Sequence, residues 1–238
     1  MPPIYTIVIP LKNEEKNIIP LIEELEPIMD QLRKPWELIC INDGSTDKTG
    51  DILSHLVQSK QYLRVLTFDR NYGQSSAFDA GFRNARGEFI ITLDGDRQND
   101  PADIPALVKA IEGHDLICGI RKKRKDSVMK RLISRSANAI RQRVCQDGIS
   151  DTGCSLKIYR RSCFDKIKLY NGMHRFLPAL FLIEGFSVGE VPVNHRERTQ
   201  GTSNYNFFNR SFNTVADLFA VYWMRKRRLR YRIKKDKE

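Results

Sequence analysis

The chain has 238 residues, 41% of them hydrophobic and 29% charged, with a formal net charge of +11. These values exclude a disordered or fibrous polymer, and they suit one α/β domain, alone or with a small appendage. A chain of this length buries a sizeable core without disulfides or structural metals.

The charge is uneven. Arg225–Glu238 holds nine Lys/Arg against two acids, so the rest of the chain carries only +4. A polybasic end favours anionic partners (a membrane surface, phosphates or nucleic acid) over the plainer reading of a solvated tail. The five cysteines are odd in number and lack C-x-x-C spacing. They read as reduced core thiols of a cytosolic protein. The N-terminus lacks the pattern of a signal peptide, and no run approaches the ~20 apolar residues of a spanning helix.

In chain order, Ile4–Ile9 is a short apolar run ended by Pro10, a buried-strand pattern. Ile18, Ile22, Leu25, Met29 and Leu32 recur at helical spacing. Glu37–Ile41 is the next expected strand, and Asn42-Asp43-Gly44-Ser45 is turn chemistry. A helix around Ile52–Val57 leads to a strand over Leu63–Phe68. The helix after it carries Gly73, Ala77, Gly81 and Ala85, a stripe of small residues read as close packing on the sheet. Phe89–Leu93 is a strand ending at Asp94-Gly95-Asp96. Asp100 and Pro101 then suit the N-cap and first position of a helix ending near Gly113. Asp115–Ile120, Ser155–Tyr159 and Ser187–Val193 are further strands. One helix is expected on Val128, Leu132, Ile133, Ile140 and Val144, and another around Phe176–Glu184.

Strands separated by single helices imply an α/β fold with a mostly parallel central sheet flanked by helices. Such sheets bind ligands beyond the carboxyl ends of their strands. Three polar clusters fall there: after Pro10, after Ile41 and after Leu93. The sharpest is Asp94-Gly95-Asp96-Arg97-Gln98, where two carboxylates separated by one small residue offer hard oxygens to Mg²⁺ or Mn²⁺. A turn or helix cap is the bland account of the same residues. Asn13 or Glu14 can likewise start a helix, and Asp43-Gly44 can be a tight turn.

The strand-terminal I-P-x-x-N-E, the N-D-G-S-x-D turn and the D-x-D-x-Q, in this order, resemble family-2 glycosyltransferases of the GT-A fold. Gly119-Ile120-Arg121-Lys122, Arg124-Lys125-Asp126, Asp151-Thr152-Gly153-Cys154-Ser155-Leu156-Lys157 and His195-Arg196-Glu197-Arg198 with Gly201-Thr202-Ser203 narrow it. The set resembles the polyprenyl-phosphate branch, which includes dolichol-phosphate mannose synthases and bacterial undecaprenyl-phosphate enzymes. The resemblance implies that Pro10, Leu11 and Glu14 border a nucleotide, that Asp43 binds its base or ribose, and that Asp94 belongs to the same donor site. It implies that Asp94, Asp96 and Gln98 surround a Mg²⁺ or Mn²⁺ ion, and that Arg121 and the Arg196–Ser203 loop hold phosphates. The reaction it implies is an inverting single displacement. Two positions depart from the pattern: Leu11 stands where Tyr is common, and Ser203 is followed by Asn204 where Lys is common. Bacterial relatives often continue into two membrane-spanning helices, and none is expected in this chain.

A lipid phosphate is already ionised at neutral pH, so it needs positioning and charge neutralisation more than a general base. Arg121, Arg124, Arg196 and Arg198 suit that work, because a guanidinium binds phosphate oxygens in a fork. Asp96, Arg121 and Asp151 are the candidate catalytic residues; Asp151 either orients the acceptor loop or contacts the sugar. The expected partners are a nucleotide-sugar donor, with uracil or guanine left open, and a polyprenyl phosphate. A second reading transfers the sugar to a glycan or lipid hydroxyl, with Asp151 as base. A third makes the chain a nucleic-acid binder through its tail, which leaves the carboxylates unexplained.

The catalytic domain is expected over 1–206. The segment 207–238 reads as an aromatic-rich amphipathic helix and basic tail that lie on the cytoplasmic face of a membrane. A membrane-anchoring partner and a homo-oligomer are both compatible with the sequence.

Overall fold

The computed structural model describes residues 2–121, 141–197, 207–229 and 231. Seven strands form one sheet in the order β3-β2-β1-β4-β6-β5-β7. They are β1 (Tyr5–Leu11), β2 (Trp36–Asn42), β3 (Leu63–Thr67), β4 (Phe89–Thr92), β5 (Leu116–Arg121), β6 (Lys157–Arg160) and β7 (Val188–Val193). All seven expected strands are present. β6 alone runs against its neighbours, pairing antiparallel with both β4 and β5.

Side chains alternate across the sheet, so each strand feeds two cores. Ile7 and Ile9 of β1 meet Leu25, Leu38, Leu53 and Leu107 on one face. Val8, between them, meets Ile39, Phe78, Phe82 and Tyr159 on the other. The first face is covered by helices α1 (Ile18–Gln31), α2 (Thr49–Ser59) and α4 (Ile104–Ala110), the second by α3 (Gln74–Asn84) and the helix Leu177–Glu184. Of the expected Val128–Val144 helix, residues 141–145 are helical and the positions before them lie outside the described residues.

The small-residue stripe of α3 divides into two roles. A Cβ on Gly81 would overlap Val8 Cγ1, which confirms close packing on the sheet. A Cβ on Gly73 would meet nothing within 4 Å. Gly73 is instead a conformational residue, with φ of +87°, which glycine adopts without steric cost. Asp100 caps as expected, accepting from Ala102 N at 3.0 Å. The turn that follows, Pro101–Asp103, is a 3₁₀ turn before α4 begins.

The five cysteines are buried and free. Burial pushes the thiols of Cys40, Cys118 and Cys163 up to about 12, so they behave as apolar core atoms. The long helix Phe207–Arg227 returns to the domain, where Leu218, Val221 and Met224 join the second core.

Candidate active site

The carboxyl ends of β1, β2, β3 and β4, and the entry to the reversed β6, share one edge of the sheet. The first two polar clusters lock onto each other there. Asn13, in the left-handed region at φ +55°, accepts from Thr46 N at 2.8 Å and donates its own N–H to Ser45 Oγ at 3.0 Å. Glu14 N donates to Thr49 Oγ1 at 2.9 Å, and Glu15 N to Asp47 Oδ2 at 3.2 Å. A cleft of ≈ 650 Å³ opens beside this lock, lined by Lys12, Asn13, Ser45 and Thr46 together with Phe68 and Arg70 beyond β3.

Pro10, Leu11, Glu14 and Asp43 border this region without lining the cleft. Leu11 is only 2% exposed and packs in the core. Asp43 is also buried, and its two oxygens accept from Tyr72 N at 2.7 Å and Gly73 N at 2.9 Å. That bridge fixes the loop entering α3 and explains the positive φ at Gly73.

The switch in strand order lies between β1 and β4, where parallel α/β sheets place their ligands. The loop after β4 fills it. A Cβ on Gly95 would overlap Leu11 Cδ2 and come within 3.3 Å of Pro10 O, so the small residue between the carboxylates lets this loop press against the end of β1. Asp94 Oδ1 accepts from Gln74 Nε2 of α3 at 2.9 Å. Asp96 is 9% exposed, and its Oδ1 accepts from Gln98 N at 3.1 Å. Burial, then the neighbouring charge of Asp96, pushes the Asp94 carboxyl up; Ser155, Lys157 and Arg121 oppose the rise. Two carboxylates crowded in this way fit a divalent cation that takes its other ligands from a substrate. Among the described residues no group of three or more His, Cys, Asp or Glu forms a self-sufficient metal cage.

Three residues to which the sequence reading gave no role complete the loop. Asn99, 4% exposed, accepts from Asp94 N at 3.0 Å and from Ser155 Oγ at 2.7 Å, and so ties the carboxylate loop to the entry of β6. Lys157 is buried at the start of β6, donates to Cys154 O, and sets a positive charge near Asp94. Its signal was a lysine inside an otherwise apolar run. Gln74 gave no signal, because its partner lies 20 residues on.

Arg121 closes β5 and forks onto Asp151: Nε to Oδ2 at 2.6 Å and Nη2 to Oδ1 at 2.7 Å. Burial alone would lower the Arg121 pKa, but the hydrogen bond and charge of Asp151 outweigh it and hold the guanidinium firmly charged. Beyond β7, His195 bridges to Asn99, and Arg196 N donates to Gln98 O at 3.0 Å. The Arg196 side chain pairs with Glu24 and with Asp100 Oδ1, the latter at 2.7 Å. Arg124, Arg198 and Ser203 lie outside the described residues. The structure thus gathers Asp94, Asp96, Gln98 and Arg196 around one loop, and couples Arg121 to Asp151 beside it.

One edge of the α/β sheet thus carries a cleft beyond β1, β2 and β3, and beside it, at the switch point, paired carboxylates and a charge-fixed arginine. Residues 6–168 match the model of "Glycosyl transferase family 2", and the chain belongs to that family. It is 41% identical over 233 residues to a dodecaprenyl-phosphate galacturonate synthase of Rhizobium johnstonii, covering 92% of this chain and 67% of the relative. It is 36% identical over 217 residues to an undecaprenyl-phosphate 4-deoxy-4-formamido-L-arabinose transferase of Pectobacterium carotovorum, covering 90% of this chain and 66% of the relative. The chain therefore spans about two thirds of the length of these relatives. Among solved structures, glucosyl-3-phosphoglycerate synthase from Mycobacterium tuberculosis, in complex with Mn²⁺, UDP-glucose and phosphoglyceric acid, superimposes with a TM-score of 0.71 at 18% identity, over 93% of this chain and 80% of that one. The same enzyme is also solved with Mg²⁺ and UDP. The fold is GT-A, and the protein is a glycosyltransferase.

Proposed function

We propose that this chain transfers a sugar from a nucleoside-diphosphate sugar to a polyprenyl phosphate, with inversion, at the cytoplasmic face of a membrane. The observation that carries this reading is the juxtaposition of the Asp94–Asp96 loop with the Arg121–Asp151 fork, in a chain similar to two enzymes named for polyprenyl-phosphate acceptors. The cleft beside Asn13 and Thr46 takes the nucleoside. Asp94, Asp96 and Gln98 would hold Mg²⁺ or Mn²⁺, which when bound neutralises charge on the departing nucleoside diphosphate.

The chain's own residues do the rest. Asp43 fixes the loop that carries Gln74, and Gln74 orients Asp94. Asn99 holds the Asp94 backbone against β6. Arg121, with Nε and Nη2 taken by Asp151, offers Nη1 to an acceptor phosphate oxygen. An ionised phosphate attacks the anomeric carbon without first surrendering a proton. Asp151, the sole candidate base for a hydroxyl acceptor, has both oxygens on Arg121, and this favours the phosphate reading over the hydroxyl one. A panel of UDP- and GDP-sugars tested against undecaprenyl and dolichyl phosphate is expected to give product with at least one lipid phosphate. Transfer to lipid or glycan hydroxyls alone would reject the proposal.

The Phe207–Arg227 helix supports attachment to the bilayer. Val215, Phe219, Tyr222 and Trp223 recur at helical spacing and are 52%, 70%, 41% and 63% exposed, opposite the docked Leu218, Val221 and Met224. Arg225, Lys226 and Arg227 follow in the last turn. An apolar stripe beside cations suits an anionic lipid interface. No helix among the described residues is long and apolar enough to cross a membrane. Phe219→Glu with Trp223→Glu is expected to lower partitioning onto phosphatidylglycerol vesicles by about tenfold or more, given roughly 1.5–3 kcal/mol for each large apolar side chain withdrawn from water. Unchanged vesicle flotation, or conversion of a dimer to a monomer by the same variant, would assign the stripe to a second copy instead.

A further inference from the structure

The loop that carries Asp94 and Asp96 contains a backbone conformation that few side chains adopt. Arg97 has φ of +61°, in the left-handed region, where residues other than Gly, Asn and Asp are uncommon. This turn brings Gln98 N to Asp96 Oδ1 at 3.1 Å and leaves Gln98 O to accept from Arg196 N at 3.0 Å. Arg97 therefore sets the direction in which Asp96 is held.

Arg97 is itself held from outside the loop. Its guanidinium pairs with Oε1 of Glu24, on helix α1, while Oε2 of the same carboxylate receives Arg196. Arg196 then reaches Asp100 Oδ1 at 2.7 Å. One carboxylate thus joins three parts of the fold: α1, the carboxylate loop, and the segment leaving β7. Partial burial would raise the Glu24 pKa, but hydrogen bonds from Arg196 and Arg97 outweigh it and hold the group below its ordinary value, so it stays charged.

We propose that Glu24 is a positioning residue for the divalent-cation loop, anchoring Arg97 so that Asp96 keeps its cation-binding orientation. The inference rests on the reading of Asp94 and Asp96 as the cation site. Glu24 does not touch the cation or the reacting atoms. Its effect passes through the left-handed turn, as the effect of groups that orient metal ligands commonly does.

Mn²⁺ binding in the presence of UDP, followed through the paramagnetic resonance signal of free Mn²⁺, tests this without reference to turnover. Glu24→Gln keeps the side chain's size and removes its charge. It is expected to weaken Mn²⁺ binding by about tenfold with little change in Tm. Arg97→Gln removes the guanidinium that Glu24 holds; it is expected to weaken Mn²⁺ binding as much as Glu24→Gln does, and combining the two is expected to weaken it no further than either alone. Unaltered affinity in Glu24→Gln, alongside lost affinity in Asp96→Asn, would overturn the positioning role and leave the cation site standing. A double variant that loses the product of the two single effects would also overturn it, because Arg97 would not be the link. Unaltered affinity in Asp96→Asn would remove the cation site, and this inference with it.

Discussion

Asp96→Asn is expected to reduce turnover by about a thousandfold, roughly 4 kcal/mol in the barrier, with Tm almost unchanged. The two halves of this result have different causes. Asparagine has the shape of aspartate and keeps an oxygen to accept the Gln98 N–H, so the loop retains its internal hydrogen bond. What disappears is one of two negative charges at the switch point. With that charge gone, the rise it imposes on Asp94 is relieved, and the remaining carboxylate is a weaker cation site than the pair. Charge developing on the leaving diphosphate then meets less compensation. Steady-state kinetics across a Mn²⁺ titration would check this. Turnover at the unmodified rate at every Mn²⁺ concentration, limiting ones included, would sink the metal assignment.

The second large effect is on stability. The Arg121–Asp151 pair is nearly buried, with side chains 11% and 13% exposed. Arg121→Leu is expected to cost about 3–5 kcal/mol, because it strands the Asp151 carboxylate in a poorly hydrated position. Arg121→Leu with Asp151→Leu is expected to recover most of that loss in urea unfolding, yet to remain inactive, since the proposed acceptor site loses its cation. Arg121→Lys separates charge from geometry. A lysine ammonium neutralises Asp151 but cannot form the fork, so the protein folds and KM for the lipid phosphate rises. If the double variant were as unstable as the single one, the cost would lie in lost packing rather than in an unpaired carboxylate.

Much of the frame was legible in the residues. Seven mostly apolar runs became seven strands, four of them stopped at once by Pro10, Asn42, Asp69 or Asp94, because burial on both faces leaves short hydrophobic segments. The positions of Asp94 and Asp96 followed from where the fourth strand stops. The reversal of β6 was not readable, since a buried strand has the same pattern in either direction. The Glu24–Arg196 bridge spans 172 residues and leaves no local signature; each partner alone looks like a charge on an amphipathic surface. Asn99 was hidden for another reason: beside Asp100 and Pro101 it reads as turn punctuation, and only the sheet edge shows that it receives Asp94 and Ser155. Gly73 was misassigned because smallness serves two ends, close packing and positive φ, and sequence does not separate them.

The reversed strand has a geometric consequence. Because β6 runs against β5, the connection from Arg121 to Lys157 leaves and re-enters the sheet at the same edge. Its length can therefore change without shifting the register of any strand, so long as Asp151 still meets Arg121 and Ser155 still meets Asn99. The other connections of the first half must carry the chain back to the opposite edge, which fixes their helices. A change of length in that one connection is thus geometrically independent of the strands whose ends carry Asn13, Asp43 and Asp94.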